Sequence, residues 1–215
     1  MVDLKLGDTA LIIDECRARG VLRNQCAYVL ATAYWETART MKPVREYGKE
    51  SYLRAKSYYP YVGMGYVQLT WLENYKRASR ELGVDFVADP KLLLKPEYAV
   101  KILVIGMLEG WFTGKKLSHY ITLQKSDFTN ARRIINGTDR QHEIAAIAQD
   151  YDARLKEEGY GLTVPKPRPR PDFAGEVLTT YPPQHRPPIS APPPPNPQPF
   201  WIKLAALIGR LFHRS

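Results

Sequence analysis

Cysteine is nearly missing from this chain: 215 residues hold two, Cys16 and Cys26. Two are too few for a disulfide framework, and without a CxxC pair or a Cys/His cluster no zinc site is suggested. Both thiols read as small buried hydrophobes. A secretory signal is also absent from the start, MVDLKLGDTALIIDECRARG, which has no basic leader and whose apolar residues are interrupted by acids. The expectation is a chain made and folded in the cytoplasm. No long repeat is present. Proline is scarce at first, with only four of 18 before Pro165. Charge is what the chain has in excess: 31 basic residues against 22 acidic, a net +9. That balance favours anionic partners such as nucleic acid, anionic lipid or acidic envelope polymers. No nucleic-acid-binding motif accompanies it, so nucleic acid is not expected as a partner.

Composition changes near residue 163. Fourteen prolines lie between Pro165 and Pro199, in runs such as PKPRPRP and APPPPNPQP. Such a segment cannot donate a regular hydrogen-bond ladder and is expected to be an extended, polyproline-like linker. A docking site for a proline-binding partner is the other reading. The last stretch, FWIKLAALIGRLFHRS, places Lys203, Arg210 and Arg214 on a narrow polar stripe of a helix, with Trp201 and its apolar neighbours over most of the rest. A helix of this length, about 24 Å, falls short of the roughly 30 Å hydrocarbon core. The pattern therefore predicts a basic amphipathic helix lying in an anionic membrane surface; docking back onto the domain is the alternative. Residues 161–215 hold seven basic and two acidic residues (+5), and residues 1–160 hold 24 and 20 (+4). The organisation read from this is a globular domain over 1–162, a linker over 163–199 and a membrane-interacting helix over 200–215.

Within the globular part the apolar residues recur at three- and four-residue spacing. This predicts helices over about 8–19, 24–41, 72–82, 96–112, 127–135 and 141–157. YVQLTW, residues 66–71, is the best extended segment. The fold class is mainly α.

One carboxylate stands out. On the helix predicted over 24–41, Ala27, Leu30, Ala38 and Met41 fall within about 40° of Tyr34 and form a core stripe. Glu36 lies opposite, near Val29 and Thr32, on a face also poor in charge. A carboxyl against an apolar wall is expected to hold its proton, as a general acid near neutral pH must. A salt bridge to Arg39, or a hydrogen bond to a nearby hydroxyl, is the plainer reading. Glu46 follows ten residues on. In unbroken helix the two acids would be about 15 Å apart, whereas an inverting glycosidase pair needs roughly 6.5–9.5 Å. Pro43 is expected to stop the helix near Met41 or Lys42 and let the chain turn. Glu50 competes for the same role. Next comes YYPYVGMGYVQLTWLENY, where two glycines flank Met64. Beyond them Tyr66, Gln68, Thr70, Trp71, Asn74 and Tyr75 offer rings, amides and hydroxyls, a mixture suited to a sugar or to a core turn with incidental polar residues.

AYVLATAYWETART, PVRE, YYPYVGMGYVQLTWLENY, GMLEGWFTGKKL and ARRIINGTD together resemble the glycoside hydrolase family 19 domain. The likeness is to its bacteriophage endolysin branch, related to plant-type chitinases, and it runs in order over roughly residues 7–157. It implies a mainly α, two-lobed lysozyme/chitinase-like domain with a central cleft. It also implies inverting cleavage of β-1,4 links next to N-acetylglucosamine, and no metal or other cofactor. By the same resemblance Glu36 protonates the leaving oxygen, Glu46 activates water and Thr70 helps hold that water. Gln68 and Asn74 match substrate-contacting positions, and Asn136 matches an asparagine that reaches substrate from across the cleft. Two residues depart from the pattern: Trp35 stands where a histidine is common, and Met64 where an arginine is common.

The leading expectation is a monomeric, endolysin-like glycosidase acting at the cell envelope. Peptidoglycan is favoured over chitin because cytoplasmic synthesis and a basic, membrane-seeking tail suit lysis from within. The alternatives are a chitinase, and a catalytically weakened glycan-binding protein tethered to the membrane, for which Met64 speaks. A third is a membrane-disrupting terminal helix that the domain merely targets.

Overall fold

The computed structural model describes residues 2–161. The linker and the terminal stretch, with the expected membrane contacts Trp201, Lys203, Arg210 and Arg214, lie outside the described residues. Among the described residues six α-helices follow in order: α1 (Thr9–Ala18), α2 (Arg23–Glu36), α3 (Glu50–Arg54), α4 (Leu72–Leu82), α5 (Pro96–Glu109) and α6 (Gln141–Glu157). Short 3₁₀ turns occupy Pro90–Leu94, Leu117–His119 and Asn130–Ile134. Two short strands, β1 (Val44–Arg45) and β2 (Met64–Gly65), pair antiparallel with Val44 opposite Gly65 and Arg45 opposite Met64. The described residues are mainly α.

α5 organises the interior. Pro96 opens it and left-handed Gly110, at φ 78°, closes it. Its sequence is apolar all round, which suits a helix buried on more than one side. Ala99, Val100, Leu103, Val104 and Met107 join a first apolar cluster with α1, α2 and α6. Ile102 and Ile105 join a second, with Leu53, Val62, Met64, Leu69, Tyr75, Phe86 and Trp111. α2 packs chiefly on α6. Cys16 and Cys26 are both buried in the first cluster as free thiols, and burial pushes Cys16 well above the ordinary thiol range.

Three local expectations need correcting. α2 stops at Glu36 rather than at Met41 or Lys42, because the chain turns seven residues before Pro43. The Thr37 hydroxyl donates to Ala33 O and accepts from Met41 N, closing a turn that the backbone enters with positive φ at Ala38, Arg39 and Met41. YVQLTW is not extended. Gly65 and Gln68 both take positive φ, and Met64 and Leu69 exchange backbone hydrogen bonds of 3.1 and 2.9 Å across a tight loop. Residues 127–135 form no α-helix. The Asp127 carboxylate accepts from the backbone and side-chain amides of Asn130, a local bond that competes with helix formation, and 3₁₀ geometry follows.

Candidate active site

Glu36 is the last residue of α2 and is 2% exposed. Its surroundings are not the purely apolar wall expected from the sequence. Arg132, on the 3₁₀ turn Asn130–Ile134, is 1% exposed and places Nη1 2.6 Å from Glu36 Oε1. The salt bridge that the sequence offered to Arg39 therefore goes to Arg132; Arg39 points to solvent in the turn. Arg132 Nε donates to Asp139 O at 3.1 Å, which ties the pair to the loop before α6. Glu36 Oε2 accepts no hydrogen bond among the described residues, and it is not among the polar atoms sealed from solvent.

Glu46 follows β1 and is 8% exposed. Its backbone extends the β1–β2 pairing, with N to Gly63 O at 2.7 Å. Its carboxylate accepts from Tyr58 Oη at 2.8 Å and from Gly63 N at 3.0 Å. Burial and this carboxylate together hold the Tyr58 hydroxyl well above the ordinary phenol range, so it stays a donor. The Tyr58 ring meets the edge of Trp71 at 5.4 Å. Glu50, the competing acid, is exposed and its pKa is lowered, first by the Tyr59 hydroxyl and then by Arg45. It belongs to a surface network with Arg45, Arg54 and Tyr59.

The remaining candidates divide by what they touch. Gln68 is half-buried and donates Nε2 to Val44 O at 2.8 Å, pinning the entrance to β1. Its carboxamide lies so close to Gly63 that a Cβ there would be 2.8 Å from Oε1. Thr70 donates to Gln68 O, and Asn74 donates to Thr70 O, so both shape the turn into α4 while staying half-buried. Trp71 caps α4 with φ 79°. Tyr66 is fully buried and gives its hydroxyl to Asp8 Oδ2 at 2.7 Å; a ring enclosed in the core has no face for a sugar. Asn136 is half-buried and its N donates to Arg132 O at 3.0 Å, which places it beside the Glu36 pair.

Two groups thus form, one of Glu36, Arg132 and Asn136 and one of Glu46, Tyr58, Gly63, Gln68, Thr70 and Trp71. Asp8 bridges the segments that carry them: its N donates to Met41 O at 2.9 Å, in the turn after Glu36, and its carboxylate takes the Tyr66 hydroxyl, just past β2. Among the described residues, non-glycine positive φ occurs at Ala38, Arg39, Met41, Gln68, Trp71 and Arg140. Gln68 and Trp71 belong to the second group, Ala38, Arg39 and Met41 follow Glu36 in the chain, and Arg140 follows Asp139, whose carbonyl accepts from Arg132 Nε. Such strain persists only where packing over-determines it, and it gathers at functional sites.

Arg132, Tyr58 and Asp8 were missed from the sequence as members of the site. Arg132 lay in the quoted ARRIINGTD, and two adjacent arginines in an otherwise apolar segment were the only signal. Of the two departures from the family pattern, Met64 is 5% exposed and packs in the second cluster, while Trp35 packs partly buried against the first. Among the described residues no group of three or more His, Cys, Asp or Glu side chains is placed to hold a metal ion. No family model, curated protein or solved structure matches this chain.

Proposed function

We propose that this chain is an inverting glycosidase of the family 19 type, with Glu36 as general acid and Glu46 as general base. One observation carries the reading: of the 20 acidic residues in 1–160, only Glu36 and Glu46 are buried. Carboxylates are seldom buried unless paired or put to use. These are the two that the motifs pick out independently. Two apolar clusters sharing α5 support the two-lobed form with a cleft that the family resemblance implies.

The chemistry follows from the partners. The acid's proton would sit on Oε2 of Glu36, the oxygen without a hydrogen-bond partner among the described residues, while Oε1 stays on Arg132. As that proton passes to the glycosidic oxygen, the guanidinium stabilises the charge left behind. Glu46 would accept a proton from water at the anomeric carbon, its orientation held by Tyr58 and Gly63. Thr70 would aid that water, and Asn136 and Asn74 would bind substrate. No bound metal is invoked. Peptidoglycan is the favoured polymer, since a net charge of +9 suits an anionic wall. The basic, amphipathic sequence of residues 200–215 is assigned to an anionic membrane surface.

Digestion of purified peptidoglycan and of chitin by the full chain, read by mass spectrometry of the new reducing ends, tests the proposal. Cleavage by wild type and a loss of roughly 10²-fold or more in Glu36→Gln support it. A wild type that releases no reducing ends from either polymer refutes it. If such an inactive chain still binds glycan, the binding-protein reading gains, and burial of Met64 where the family carries a cation is the observation that favours it.

A further inference from the structure

Behind Glu36, α2 carries a file of buried polar side chains. Tyr28, Thr32 and Glu36 stand four residues apart and so share one face of the helix. Tyr28 and Thr32 are fully buried, and Arg132 faces the end of the file. Three atoms here are sealed from solvent yet make no hydrogen bond: the Tyr28 hydroxyl, the Thr32 hydroxyl and Arg132 Nη2. They belong to one neighbourhood. Burial raises the Tyr28 hydroxyl's pKa, Arg132 lowers it and Glu36 raises it again, so the hydroxyl lies within electrostatic reach of both charges. Thr32 lowers it as well, as a hydroxyl within interaction range would, although the pair falls short of hydrogen-bond geometry and both oxygens stay unpartnered. The Tyr28 ring cannot readily swing away, because it stacks on Phe128 at 6.1 Å and 10°.

Sealed polar atoms are paired in nearly all folded proteins, and those not paired with protein are paired with buried water. Such a water makes about three hydrogen bonds to otherwise unsatisfied groups, which is the number of atoms on offer. Their chemistry also fits. Arg132 Nη2 can only donate, whereas each hydroxyl can donate or accept. One water can therefore accept from Nη2 and from the Tyr28 O–H while donating to Thr32 Oγ1.

We propose that Tyr28, Thr32 and Arg132 Nη2 form a binding site for a single buried water. The site fixes the Arg132 guanidinium and, through it, the orientation of Glu36. Tyr28 and Thr32 are positioning residues: they act on Glu36 from its sealed side, while Oε2 is left for the reaction. The water site stands on the orphaned atoms alone; its catalytic consequence rests on Glu36 being the acid.

A high-resolution crystal structure of the full chain tests the site without an activity assay. One ordered water about 3 Å from all three atoms is expected. A dry site, or direct hydrogen bonds among the three side chains, overturns the proposal. The consequence is tested by Thr32→Val, which keeps the shape and removes the hydroxyl, against Thr32→Ser, which keeps the hydroxyl. On soluble peptidoglycan fragments Thr32→Val is expected to lower kcat on the order of tenfold with KM unchanged, and Thr32→Ser to restore most of it. Equal kcat in all three proteins overturns the positioning role. If Thr32→Val does not fold, Tyr28→Phe carries the same expectation. An ordered water in a wild type without glycosidase activity supports the site and refutes the enzymatic reading instead.

Discussion

Glu36 ends a helix, and a helix end of that polarity is a poor place for a carboxylate. The last carbonyls of α2 already present partial negative charge, a repulsion of about 0.3–1 kcal/mol for an added anion. Arg132 offsets it from a position 96 residues away. Removing Arg132 leaves the buried Glu36 carboxyl without its hydrogen-bond donor, so Arg132→Met is expected to lower stability by about 1–3 kcal/mol in urea unfolding. The double variant Glu36→Gln/Arg132→Met should recover part of that loss. Glu46 and Glu50 separate as cleanly. Glu46→Gln is expected to reduce peptidoglycan hydrolysis by roughly 10²-fold or more, and Glu50→Gln to leave it within about twofold. Glu50 should show itself in stability against pH. Its folded pKa is lowered by Tyr59 and Arg45, so its contribution is present above the ordinary carboxylate pKa of about 4.3 and is lost as pH falls through the folded value. Glu50→Gln should flatten that acid limb in thermal melts while leaving the neutral region nearly unchanged.

At the scale of elements, the two carboxylates depend on how their segments turn. The turn after α2 is set by Thr37, whose hydroxyl makes two hydrogen bonds within it. Thr37→Val is expected to cost about 1–3 kcal/mol and to lower activity more than its stability loss explains, since Glu36 is the neighbouring residue. Pro43 was the visible breaker in the sequence, yet the turn comes earlier. Left-handed conformations at Ala38, Arg39 and Met41 are unfavourable one by one, and only the tertiary hold of Asp8 N on Met41 O and the Thr37 hydroxyl makes them persist. The Glu46 side depends on Gly63, which must pass close beneath Gln68. Gly63→Ala would place a Cβ 2.8 Å from Gln68 Oε1 and 3.2 Å from its Cβ. The expected cost is about 1–3 kcal/mol, together with loss of activity as Gln68 leaves Val44 O and Glu46 loses its backbone donor; denaturation and turnover assays check the two together.

For the whole molecule, the sequence of residues 200–215 predicts a division of labour. Deleting it is expected to leave hydrolysis of purified peptidoglycan within about twofold while lowering lysis of intact membrane-bounded cells. Equal lysis by both forms would remove the membrane role. The sequence by itself determined most of the helices, because a period of 3.6 in apolar residues is a local property: α1, α4, α5 and α6 lie where the spacing put them, whereas 127–135 is not α-helical and the short α3 was not foreseen. It also singled out Glu36, since an acid in an apolar helix is conspicuous without any partner in view, whereas Glu46 was preferred to its competitor Glu50 only through the resemblance. What it could not determine was who faces whom. Arg132 reads as one of two adjacent arginines until folding buries it and leaves Arg133 exposed. Tyr66 reads as a sugar platform until the core encloses it. The end of α2 follows from the Thr37 hydroxyl within the turn and from the hydrogen bond that ties Met41 to Asp8, 33 residues away in the chain. Local periodicity records which residues prefer to be inside; only the packed chain decides which charges and hydroxyls meet there, because that depends on contacts between segments far apart in sequence.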